Sequence, residues 1–65
     1  MKPTHALCLR TVEDDLGVYN IKGKCYEIYE DHGDTLVIES EDVEDVLDIQ
    51  IKRDDPSFLL VYRRD

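Results

Sequence analysis

Carboxylates are the most abundant groups in this sequence that could do chemistry, with 16 Asp and Glu against 8 Lys and Arg. Six crowd into residues 39–48: Glu39, Glu41, Asp42, Glu44, Asp45 and Asp48. Paired acids can act as general acid and base on a glycosidic bond, but only when a cleft holds them at a fixed separation. A run of acids in a small chain reads more simply as a solvated face. Calcium is the other chemistry for such residues. Neither residues 31–34 nor 42–48 follow the loop spacing, with a central glycine and a terminal glutamate, that a calcium hand requires.

The other reactive side chains are few. His5 lies near the N-terminus and His32 in a polar turn, so each reads as a surface histidine. Ser40, followed by Glu41, reads as a helix cap and not as a nucleophile. Cys8 and Cys25 fall on separate expected strands without metal-ligand spacing, and read as buried free thiols. Three isolated glycines make no phosphate-binding loop. The sequence therefore points to binding and not to an enzyme. It calls for no cofactor and no metal.

Charge narrows the class of partner. The formal net charge is −8 over 65 residues. DNA affinity comes largely from Lys and Arg displacing counterions, so direct binding to nucleic acid or to an anionic membrane is disfavoured. A basic protein surface is the electrostatic complement, such as that of a nucleic-acid-binding enzyme. Keeping a tiny domain soluble is the plainer use of the same charge.

The acidic run is expected to be a short helix. Val43, Val46 and Leu47 have the i, i+3, i+4 spacing of an amphipathic helix, with Ser40 as its N-cap. Glu41, Asp42 and Glu44 would sit at its positive end. At 1.5 Å per residue, residues 41–48 would span about 12 Å with five carboxylates, or one per roughly 2.4 Å. Duplex DNA carries one charge per roughly 1.7 Å. Such a ridge could occupy a basic cleft meant for nucleic acid.

Around that helix the sequence reads as strands. Expected strands are 6–12, a short piece at 18–21, then 25–30, 36–38, 49–52 and 58–62. In the strand at 25–30, Tyr26 and Ile28 would face the core, with Glu27 and Tyr29 outward. Residues 31–34, around Gly33, and residues 53–57, around Pro56, are turns. The continuous apolar run 58–62 suggests burial on both faces. The expected fold is mainly β: a small five-stranded antiparallel sheet or barrel, with one short acidic helix between strands 3 and 4. It forms a single domain over 1–65, with residues 1–5 as a flexible leader. A chain this short buries only about 60% of its unfolded surface. No stretch has the roughly 20 apolar residues of a membrane span, so a cytoplasmic protein is the expectation.

The stretch Lys22-Gly23-Lys24-Cys25-Tyr26-Glu27-Ile28, then Glu30-Asp31 and Gly33-Asp34, resembles a group of very small phage-encoded proteins. The resemblance covers roughly residues 7–38 and implies a small barrel of the Src-homology-three type, working in a host cytoplasm. A fainter resemblance runs through Leu36-Val37-Ile38-Glu39-Ser40 and 41–46. It is to phage inhibitors of uracil-DNA glycosylase, in which a strand with a Glu-Ser step leads to an acidic helix. That resemblance implies DNA mimicry. Here the helix would follow the Glu-Ser step directly, where those proteins have a longer strand.

The expected partner-binding residues are Glu39, Glu41, Asp42, Glu44, Asp45 and Asp48, with Tyr29 as the best exposed aromatic. The first expectation is an inhibitor that mimics DNA. The alternative is a structural or adaptor module in which a second copy pairs along an edge strand such as 49–52.

Overall fold

The computed structural model describes residues 2–63. Seven strands follow one another: β1 (His5–Cys8), β2 (Val12–Asp14), β3 (Gly17–Asn20), β4 (Cys25–Asp31), β5 (Thr35–Val43), β6 (Val46–Lys52) and β7 (Phe58–Val61). Five form one antiparallel sheet in the order β6-β5-β4-β1-β7, and β2 and β3 form a separate hairpin. The expectation of a mainly β, five-stranded antiparallel sheet holds. No ladder joins β6 to β7 among the described residues, so the two remain edge strands.

Period-two alternation decides which face each side chain takes. Tyr26, Leu36, Ile38, Ile51, Ala6, Cys8 and Phe58 point inward and form the core, with Val12, Ile28, Ile49 and Leu60 packed against it. Their neighbours Glu27, Tyr29, Glu39, Asp48 and Leu59 point outward. Val43 is buried at the far end of β5, where the β2–β3 hairpin crosses. A Cβ at Gly17 would come within 3.2 Å of the Val43 Cγ1. Gly17 therefore lets β3 approach β5 closely.

The expected acidic helix is not present; no helix occurs among the described residues. Residues 39–48 instead complete β5, turn at Glu44-Asp45 and open β6. Val43 and Val46, spaced as helix neighbours, are cross-strand partners. Both turn residues have positive φ, 50° and 69°, as a two-residue hairpin turn of type I′ demands. The Asp42 Oδ1 accepts the Asp45 N–H at 3.1 Å and helps hold that turn. Ser40 caps nothing. It is buried in an irregular stretch of β5, where pairing shifts between Glu39 and Val43.

Other expectations need correction. The strand 6–12 breaks after Cys8, where Leu9 and Arg10 bend the chain away from the sheet. The run 58–62 is not buried on both faces: β7 is an edge strand, and Leu59 and Tyr62 are about half exposed. The expected leader is held from Thr4 onward. The Thr4 N–H donates to the Val61 carbonyl at 2.9 Å, and its carbonyl accepts the Ile28 N–H at 3.0 Å. His5 already belongs to β1. Both thiols are free, but only Cys8 is buried; Cys25 is exposed.

The turn at 31–34 forms as expected. Gly33 has φ 88°, and its N–H donates to the Asp31 Oδ1 at 2.9 Å.

Candidate acidic interface

The six carboxylates of residues 39–48 divide into three groups. Glu39 and Asp48 face each other as register partners of β5 and β6, on the outer side of the sheet. Asp42, Glu44 and Asp45 gather at the exposed tip of the β5–β6 hairpin. Glu41 turns toward β4, into a network of its own.

That network is built on Tyr26, whose ring lies in the core and whose hydroxyl reaches the sheet end. The hydroxyl accepts the Ile21 N–H at 2.7 Å and donates to the Glu41 Oε2 at 2.8 Å. Lys24 Nζ donates to the same carboxylate oxygen at 2.6 Å and sits 5.6 Å from the Tyr26 ring centre. Burial pushes the Tyr26 phenol up to about 12, and the adjacent Glu41 adds to the shift. Glu41 is held below the usual carboxylate range, first by its bond from Lys24 and then by that from Tyr26. With a cation already on it, Glu41 joins strands and offers little free charge to a partner.

The outer face is different. Tyr29 projects from β4 with 48% of its surface exposed, at the point where β4–β5 pairing shifts between Ile28 and Glu30. Partial burial raises its hydroxyl's pKa, followed by the fields of Glu39, Glu27 and Asp48 in that order. Those carboxylates come from three adjacent strands, β5, β4 and β6. The Glu27 N–H also lies 3.4 Å from the Glu39 Oε1. Neighbouring strands are about 4.8 Å apart, so the three charges cross the sheet over about 10 Å. This spacing is of the same order as the roughly 3.4 Å of axis per phosphate on one DNA strand. Among the described residues, none of Glu27, Glu39 and Asp48 has a Lys or Arg within ion-pair distance.

The structure thus brings together Glu39, Asp48 and Tyr29 from the sequence-derived set. It places Asp42, Glu44 and Asp45 on the neighbouring hairpin tip and takes Glu41 into the Tyr26 network. Glu27 belongs to the cluster although its charge was not singled out. Its signal was the alternation that puts it on the face of Tyr29. Lys24 is the other residue that sequence reasoning passed over.

Comparison with protein-family models, curated proteins and solved structures finds no match to this chain.

A cleft of about 370 Å³ is lined by Asp34, Thr35, Lys52, Arg53 and Asp54, a set in which acids and bases balance. Arg53 there is already engaged by Asp31, with its Nη2 2.8 Å from the Oδ2. His32 pairs with Glu30 at 2.9 Å. No group of three or more His, Cys, Asp or Glu among the described residues is arranged to hold a metal. Among the described residues, no helix is long and apolar enough to cross a membrane.

Proposed function

We propose that this is a non-enzymatic binding domain whose outer sheet face engages a basic protein surface. Glu27, Glu39 and Asp48 supply the charge, and Tyr29 supplies a rigid amphipathic contact at their centre. The tip residues Asp42, Glu44 and Asp45 extend the same negative field along β5–β6. The observation that carries this reading is the convergence of three uncompensated carboxylates on one exposed tyrosine. Like charges directly opposed on a sheet are unfavourable, and a stability-driven surface would mix signs.

The natural target is a protein that already binds phosphates, because its cleft is preformed for negative charge at comparable spacing. With the resemblance to phage-encoded inhibitors, the finer reading is a DNA mimic that blocks a host nucleic-acid-binding protein. The three-strand array takes the place of the helical ridge as the mimicking element.

The test is capture from a bacterial lysate, comparing the natural chain with Glu39→Lys/Asp48→Lys. The natural chain should retain nucleic-acid-binding proteins at low salt and release them at high salt. The reversed chain, with an unchanged circular dichroism spectrum, should retain none of them. Equal retention by both chains would overturn the reading.

A further inference from the structure

We propose that the outer edge of β7 is a self-association edge, on which a second copy of this chain adds its own β7 antiparallel about a twofold axis. This inference rests on the opposite end of the sheet from the acidic face and does not depend on that face's role.

Sheet edges in soluble proteins are usually blunted by charge, proline or a bulge, because unpaired backbone groups template further pairing. The two edges here differ in that respect. β6 carries Asp48 and Lys52 within the strand and adjoins the acidic hairpin tip. β7 reads Phe-Leu-Leu-Val, with no charge, no proline and no register shift against β1. Leu59 is 54% exposed on its outer face. Leu9, whose N–H bonds the Ser57 carbonyl at 2.8 Å, is also exposed, at 45%.

The backbone fixes how a second β7 would fit. In an antiparallel ladder, alternate residues direct their N–H and C=O to one side. The Leu9–Ser57 bond turns Ser57, and with it Leu59 and Val61, toward β1. Leu60 and Tyr62 then direct their N–H and C=O to the open edge, and Phe58 its carbonyl, its N–H being donated to the Asp55 carbonyl at 3.1 Å. Pairing Leu60 with Phe58 of the second copy places Leu59 on the axis, opposite its own equivalent. Leu60 N–H donates to the Phe58 carbonyl, and Tyr62 N–H to the Pro56 carbonyl, with each bond repeated by symmetry. The reciprocal ladder bonds would come from the Phe58 and Pro56 N–H groups. Phe58 already donates to the Asp55 carbonyl at 3.1 Å and Pro56 has no N–H, so the pairing is held by the bonds from the Leu60 and Tyr62 amides of the two copies.

Charge agrees with this register. The segment runs from acidic to basic, with Asp54-Asp55 before the strand and Arg63 after it. Antiparallel self-pairing sets Asp55 across from Arg63 of the second copy. The general repulsion between two chains of charge −8 is weak here. β7 lies two strand spacings, or about 10 Å, from β4 with Glu27 and four, or about 19 Å, from β6 with Asp48, both beyond the roughly 8 Å Debye length at physiological salt. A twofold contact also closes on itself and leaves β6 at both ends of a ten-stranded sheet, so no fibre grows.

Sedimentation equilibrium across a concentration series tests the proposal on the full chain, alongside Leu59→Lys and Arg63→Asp. The natural chain should reach twice the monomer mass. Each substitution should raise the dimer dissociation constant by at least about tenfold with an unchanged circular dichroism spectrum. A natural chain that stays monomeric at every concentration overturns the proposal, and so does a dimer that Leu59→Lys leaves intact. Should that variant unfold, hydrogen exchange on the natural chain decides instead. Protection of the Leu60 and Tyr62 amides that rises with concentration supports the β7 edge; protection independent of concentration refutes it.

Discussion

Glu39 and Asp48 stand directly opposite each other across β5 and β6, two carboxylates in a position where opposite charges would attract. Side chains so placed lie about 4.5–5.5 Å apart at Cβ. Asp48→Lys converts the pair from repulsive to attractive, keeps the Glu39 Oε1 that accepts the Glu27 N–H, and should raise stability. Both side chains are exposed, so a gain of a few tenths of a kcal/mol is expected. A higher urea midpoint, together with lost capture of basic proteins, would show that stability was sacrificed for binding at this pair. A lower midpoint would show that the pair is not repulsive in the folded domain.

Tyr26 should make the domain sensitive to alkali. Its folded phenol is raised to about 12, against about 10 in an unfolded chain. The folded state therefore holds the proton more tightly, and this contribution is complete below pH 10. It should fall steadily as pH rises from about 10 to about 12. Urea midpoints measured across that range should decline in the natural chain and decline less in Tyr26→Phe. The same substitution leaves the Ile21 N–H without its acceptor, costing about 1–3 kcal/mol at neutral pH.

Much of the sheet could be read from the sequence because its inner residues alternate cleanly. Tyr26 with Ile28, and Leu36 with Ile38, fall on the core face where period two puts them. The reading failed where the alternation was interrupted. Ser40 occupies an inward position that an apolar residue would normally hold, and β5 then shifts register before Val43. Seen as a string, Val43, Val46 and Leu47 match a helix as well as a hairpin. The competing signal was Leu47, Ile49 and Ile51, whose period-two spacing already marks β6 from its start. The turn gave no warning either, since Glu44-Asp45 replaces the Asn-Gly or Asp-Gly pair that usually announces a type I′ hairpin. The acidic face was half legible. Tyr29 and Glu27 share a strand, but their meeting with Glu39 and Asp48 depends on strand order, which no local pattern encodes.

Arg53 and Asp31 tie the β6–β7 loop to the end of β4. Two guanidinium nitrogens reach the Asp31 Oδ2, at 2.8 and 3.4 Å, and the Asp31 side chain is only 14% exposed. Arg53→Met should strand that carboxylate and cost about 1–3 kcal/mol, less than for a fully buried pair because Arg53 is partly solvated. Asp31→Asn/Arg53→Met should recover part of the loss. A double-mutant cycle from urea unfolding measures the coupling, and additive losses would mean that the two side chains act independently.

The hairpin tip offers the most direct separation of folding from binding. Glu44 and Asp45 occupy left-handed conformations at φ 50° and 69°, where a residue with a Cβ loses roughly 1–2 kcal/mol relative to the right-handed form. Glu44→Asn/Asp45→Gly installs the pair that such a turn prefers. The Asp42 Oδ1 can still accept the N–H at position 45, so the turn keeps its side-chain bond. Glycine's greater unfolded-state entropy offsets part of the relief, leaving an expected gain of about 1 kcal/mol. Urea unfolding should show that gain as a higher midpoint with an unchanged slope. The same variant removes two of the three tip carboxylates and keeps Glu27, Glu39, Asp48 and Tyr29. If the sheet face carries recognition, capture of basic proteins should weaken only modestly, by far less than with Glu39→Lys/Asp48→Lys. Complete loss of capture in this better-folded variant would move the interface from the sheet face to the hairpin tip.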